Sequence, residues 1–180
     1  MLRNPGHAGP AAYALSNLAA NTYTAWLIIE CDAVPILVEM LREPDIQSGP
    51  AVMALALLLP FLSEDIPRIS KSEIIKRLVQ MLQGRDARDA AMVMGSIARI
   101  DELREAILQS EGVISTLRHM LRGTNSDAAA YAIGGLSKDD NVLEDLRKHD
   151  VAEDLIVLMN NEDSALASGW ALASLARNRA

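Results

Sequence analysis

"AAYALSNLAAN", residues 11–21, sets a Tyr and an Asn one helical turn apart inside an Ala-rich segment. It has four echoes: "MALALLLPFL" from Met53, "MVMGSIARI" from Met92, "YAIGGLSKD" from Tyr131 and "WALASLARN" from Trp170. Each begins with a large residue and carries Leu or Ile at its sixth place. Those anchors, Leu18, Leu58, Ile97, Leu136 and Leu175, are separated by 40, 39, 39 and 39 positions. A fixed period of this kind marks a repeat architecture, in which each unit buries its apolar face only by stacking on a neighbour.

Two further series keep the same step. "LVEML" from Leu37, "LVQML" from Leu78, "LRHML" from Leu117 and "LIVLM" from Leu155 follow at 41, 39 and 38 residues, and a weaker set comprises Ile28, Ile69, Leu108 and Leu146. Three helices per unit are therefore expected. Between them "REPDIQSGP", "QGRDARD", "RGTNSD" and "NNEDS" supply the Gly, Pro, Asn, Asp and Ser that stop and restart helices. In "SEDIPRISKSE" Pro67 should shorten or distort the first helix of its unit unless it lies in the opening turn.

Composition agrees with an all-α protein. The 180 residues are 50% hydrophobic and 23% charged but only 3% aromatic, so the core must be aliphatic. A net charge of −7 and a pI of about 4.9, with no block of Lys and Arg, argue against nucleic acid as a partner. The longest apolar run, Ala51 to Leu62, falls short of the roughly 20 residues that span a bilayer and carries Pro60, so it reads as a buried helix and no membrane insertion is expected. A lone Cys31 forms no internal disulfide; it reads as a small buried residue of a cytosolic or nuclear protein.

The period, the three-helix unit and the paired motifs "ECDAVPILVEMLREPD" (residues 30–45) and "AAYALSNLAAN" resemble the armadillo repeat of importin-alpha and beta-catenin. Ala33, Val34, Pro35, Leu37, Val38 and Leu41 match the family's second helix, and Tyr13 to Ala19 its third. The Gly that usually precedes the second helix survives only as Gly112; Asp32, Glu73 and Asp150 replace it. The resemblance implies a right-handed armadillo-type α-solenoid forming a single domain over residues 1–180. In that register a partial repeat at about 10–21 precedes repeats at about 22–63, 64–100, 101–138 and 139–180, as in a segment of a longer solenoid. Without obvious polar caps, the end faces at residues 11–20 and 166–176 should be sticky and favour self-association.

At about 100° per residue, Leu15 and Leu18 lie roughly 200° and 140° from Tyr13, whereas Asn17 lies only about 40° away. With the leucines in the core, Tyr13 and Asn17 point out together. The equivalent pairs are Met53 with Leu57, Met92 with Ser96, Tyr131 with Gly135 and Trp170 with Ser174. The resemblance implies that this face lines a concave groove, where large residues form rungs and polar neighbours bond the backbone of a peptide or partner segment. Met53 and Met92 are the rungs most open to a plain core reading, and Tyr131 and Trp170 the strongest anchors. An import adaptor of this family would combine Trp and Asn in one unit; here Trp170 and Asn17 stand in different units. The rungs carry no carboxylate, so a ligand with apolar anchors and weak salt dependence is expected over a basic peptide.

No catalytic constellation emerges. His7, His119 and His149 fall in different units without metal-ligand spacing, so neither metal nor cofactor is expected. Asp86, Asp89, Asp139 and Asp140 stand where helices start and read as partners of helix N-termini. "GG" at Gly134 and Gly135 lacks a nucleotide-binding context and reads as a close helix contact. The expected function is a non-enzymatic protein-interaction scaffold, with a nuclear-import adaptor or a purely structural segment of a longer solenoid as alternatives.

Overall fold

The computed structural model describes residues 5–41, 48–62, 70–148 and 150–177, which form two compact units, residues 1–80 and 81–180. The described residues are helices joined by turns, without a strand. No helix among them is long and apolar enough to cross a membrane.

The first unit holds α1 (Pro5–Ala19), α2 (Thr22–Glu30), α3 (Ala33–Met40), α4 (Ser48–Leu58) with a 3-10 turn at Leu59–Phe61, and α5 (Lys71–Met81), whose last residue opens the second unit. The second holds α6 (Ala87–Ile97), α7 (Asp101–Leu108), α8 (Val113–Leu121), α9 (Ser126–Leu136), α10 (Asp140–Lys148), α11 (Val151–Leu158) and α12 (Ala165–Arg177). The repeats expected at 22–63, 101–138 and 139–180 each show three helices. In the repeat at 64–100 the second and third helices are α5 and α6, while Pro67 and Ile69 lie outside the described residues. The opening helix is longer than its motif, running back to Pro5 with Pro10 inside it.

Local chemistry starts these helices where the repeat needs them. Asn21 precedes α2 and its side-chain oxygen accepts from the backbone N–H of Tyr23 at 2.9 Å and Thr24 at 3.4 Å. Asp139 does the same for α10, accepting from Asn141 at 3.0 Å and Val142 at 3.3 Å. Asp89 and Asp140 occupy first turns, where a carboxylate meets the positive end of the helix dipole. The turn into each second helix is left-handed at Asp32, Gly112 and Asp150, with φ of 54°, 77° and 54°. Only Gly adopts that conformation freely, and short polar Asp is among the few side chains that tolerate it. At Glu73 the chain is already helical, within the first turn of α5.

The core is aliphatic. Leu37, Leu41, Leu55 and Leu58 are fully buried in the first unit, and Ile107, Leu117, Ile133, Leu136 and Leu155 in the second. Third helices stack on third helices: α1 on α4 in one unit, and α6 on α9 on α12 in the other. Two expectations fail at the margins of these stacks. Leu18, expected in the core, is 49% exposed, because α1 has a third-helix neighbour, α4, on one side, whereas α9 is flanked by α6 and α12 and buries its equivalent Leu136 completely. Cys31, expected to be buried, is exposed because it closes the C-terminus of α2. Exposed large apolar side chains gather on α1 and α2 (Tyr13, Leu18, Tyr23, Trp26) and around α11 and α12 (Ile156, Val157, Met159, Leu166).

Candidate functional site

The five rung residues have different surroundings. In the first unit Tyr13 is 47% exposed and Asn17 is exposed beside it. Met53 is only 3% exposed, so it is a core residue of α4 rather than a rung open to a ligand, and Leu57 is half-buried. In the second unit Met92, Tyr131 and Trp170 are all half-buried, the state of a side chain that packs with one side and shows the other.

Glycines determine how the two aromatic rungs lie. A Cβ added at Gly95 would sit 2.5 Å from the Tyr131 ring, and one at Gly134 would sit 2.3 Å from the Trp170 ring. Real Cβ atoms do not approach ring carbons so closely, so each ring lies on the backbone of the preceding third helix in space that a side chain would fill. Gly95 and Gly134 hold the same register position, three residues after Met92 and Tyr131. Gly135 brings the helices themselves together, since a Cβ there would meet the Gly95 carbonyl oxygen at 2.7 Å. The "GG" pair is a packing device, as the sequence suggested.

Leaning in the same direction, the two rings stack, with centroids 5.1 Å apart and planes 29° from parallel. They form a continuous aromatic shelf instead of two rungs separated by a slot, and Arg99 supplies its charge. The guanidinium carbon of Arg99 lies 5.7 Å from the centre of the Trp170 ring, within the range of a cation–π contact.

The polar members of the pairs are already partly engaged. Ser96 Oγ donates to the Met92 carbonyl at 3.0 Å, and Ser174 Oγ donates to the Trp170 carbonyl at 3.0 Å. A hydroxyl whose proton is used in this way still accepts, so these serines offer acceptor sites to a ligand N–H. Gly135 is buried and offers no side chain. Tyr131, Trp170, Met92, Ser96 and Ser174 thus belong to the second unit, whereas Tyr13, Asn17 and Met53 belong to the first. Arg99 and the glycine seats were missed in the sequence. A usable signal existed, since Gly95 and Gly134 each stand three residues after the rung of the third helix that precedes an aromatic rung.

The described residues contain no group of three or more His, Cys, Asp or Glu side chains placed to hold a metal ion. The carboxyl of exposed Glu144 is held below the usual carboxylate range first by its hydrogen bond with Lys148 and then by that cation's charge. At 2.8 Å this is a helix-surface pair on α10.

Among solved structures the chain is similar to an engineered protein, with a TM-score of 0.70 and 22% identity over 97% of this chain and 76% of that one. It is also similar to a designed armadillo repeat protein in complex with the peptide (KR)4, with a TM-score of 0.67 and 20% identity over 96% of this chain and 78% of that one. Another designed armadillo repeat protein gives a TM-score of 0.52 and 18% identity over 96% and 95% of the two chains. At such identities the likeness shows the fold: the chain has an armadillo-like repeat fold of the all-α solenoid class. No family model and no curated protein matches the sequence.

Proposed function

We propose that this protein is a non-enzymatic interaction scaffold whose third-helix face in the second unit binds an extended segment of a protein partner. The observation that carries this reading is the Tyr131–Trp170 shelf. Two stacked aromatic rings remain half-buried on a face whose neighbouring polar groups, Ser96 and Ser174, still accept hydrogen bonds. Rigid aromatic surface beside acceptors fits a peptide that lays an apolar side chain on the rings and donates backbone N–H groups nearby. The fold adds weight, because an armadillo-like stack presents its third helices as one row.

The import-adaptor alternative draws on the designed neighbour that holds (KR)4. It is disfavoured by Arg99, which already stands over the Trp170 ring where a ligand cation would sit. The exposed apolar side chains around α1–α2 and α11–α12 support a second, additive property, self-association of the free chain. Sedimentation across a wide concentration range tests it, and a strictly monomeric profile would rule it out.

The groove reading is tested by selecting from a random peptide display library on the immobilised protein. Binding is then followed through Trp170 fluorescence in a Trp26→Phe background. Selected peptides should perturb that signal and, labelled and followed by fluorescence anisotropy, should bind at least about fivefold more weakly to a Trp170→Ala variant, the loss of roughly 1 kcal/mol or more typical of an anchor. If no peptide is enriched, or if the enriched ones ignore Trp170, the scaffold reading at this face fails.

A further inference from the structure

Each rung of the second unit is followed seven residues later by a cation: Met92 by Arg99, Tyr131 by Lys138 and Trp170 by Arg177. Arg99 and Lys138 stand two residues past the ends of α6 and α9, and Arg177 is the last residue of α12, so the three hold equivalent repeat positions at the ends of stacked third helices. The contact of Arg99 with the Trp170 ring places one of these cations beside the shelf directly. All three are exposed. None is in an ion pair with a described residue, as holds also for Lys71, Lys76, Arg118 and Arg147, whereas Arg77, Arg85, Arg88, Arg104, Arg122 and Lys148 each pair with a carboxylate. The positions equivalent to these three in the first unit are Ala20 and Pro60. A protein of net charge −7 thus sets three exposed cations at one repeat position, one of them over the Trp170 ring of its aromatic shelf.

From this charge complementarity we infer that the second unit recognises an acidic extended segment of a partner protein. Its carboxylates meet Arg99, Lys138 and Arg177 while an apolar side chain lies on Tyr131 and Trp170. The inference rests on the scaffold reading and adds the chemical class of the ligand. It also replaces the expectation of weak salt dependence, which came from the rung positions alone. Packed helices lie about 8–10 Å apart and an extended chain advances about 3.3 Å per residue, so one carboxylate every two to three residues keeps step with the column.

Three labelled eight-residue peptides test this by fluorescence anisotropy: alternating Glu and Leu, alternating Gln and Leu, and alternating Lys and Leu. The Glu peptide should bind tightest and the Lys peptide weakest, and only the Glu peptide should lose affinity steeply as salt rises. Changing Arg99, Lys138 and Arg177 together to Gln should weaken the Glu peptide by about tenfold and leave the Gln peptide unchanged, as expected for three exposed ion pairs. Arg99→Lys with Arg177→Lys should restore most of the loss, which separates charge from folding. Equal binding of all three peptides, or preference for the Lys peptide, would overturn the acidic-ligand inference and leave the scaffold reading standing. Binding of none would overturn both.

Discussion

Copies of one repeat motif show different faces in the two units. In the first, the rungs Tyr13 and Met53 are followed seven residues later by Ala20 and Pro60, and Met53 is buried. In the second, Tyr131 and Trp170 lie on Gly95 and Gly134 and stack on each other, Arg99 stands over the Trp170 ring, and the rungs Met92, Tyr131 and Trp170 are followed seven residues later by Arg99, Lys138 and Arg177. The framework of buried Leu and Ile is common to both. The two units differ at positions that the framework leaves free, namely the residue under each rung and the residue at or just past each helix end.

The largest effects should come from the framework, and they should depend on how many neighbours a helix has. Leu136→Ala in α9, flanked on both sides, should cost about 2–5 kcal/mol by opening a cavity. The same change at its equivalent Leu18 should cost well under about 1 kcal/mol, because that side chain is already half in water. Chemical denaturation of the two variants checks this, and equal losses would mean that the copies are equally packed.

The glycine seats come next. Gly134→Ala adds a Cβ where the Trp170 ring lies, so it should destabilise by about 1–3 kcal/mol despite the better helix propensity of Ala. In a Trp170→Ala background the ring is gone and the same change should be neutral or stabilising. A double-mutant cycle measures the coupling, and additivity within about 0.5 kcal/mol would show that ring and glycine do not share the space.

Smaller changes are expected at the left-handed turns. Gly112→Ala should cost about 1–2 kcal/mol, and Asp150→Gly should stabilise by a few tenths to about 1 kcal/mol, since both residues have positive φ. Thermal melts that moved both variants in one direction would contradict this. The smallest effect is a titration. Lys148→Met should bring Glu144 back up towards its ordinary carboxylate range, readable by NMR. Because the pair lowers the folded-state value, whatever it contributes is present above the unfolded-state range and lost as pH falls through the folded-state value.

Much of the framework was legible in the sequence, because stacking imposes one period on every buried position. The steps of 38 to 41 residues located the second and third helices, and local chemistry identified the Asp residues at helix starts and the Gly pair at which α9 meets α6 through Gly135 and α12 through Gly134. Helical spacing also singled out the rung face. Where the reading failed, at Leu18 and Cys31, and where it left Met53 open between rung and core, the rotation of a residue about its own helix was known but the neighbours covering it were not.

Sequence by itself therefore determined the repeat, its three-helix unit and which residues share a helix face, since these follow from local geometry that every copy obeys. Only the tertiary structure decided that Tyr131 and Trp170 stack into a shelf, that glycines of the preceding helices seat their rings, and that Arg99 stands over Trp170. Residues 95, 131, 134 and 170 meet across repeats, where the outcome depends on which side chain occupies the space left by another. A period measured along the chain records the spacing of those positions but not whether a ring at one of them finds a Cβ or an empty seat at the next.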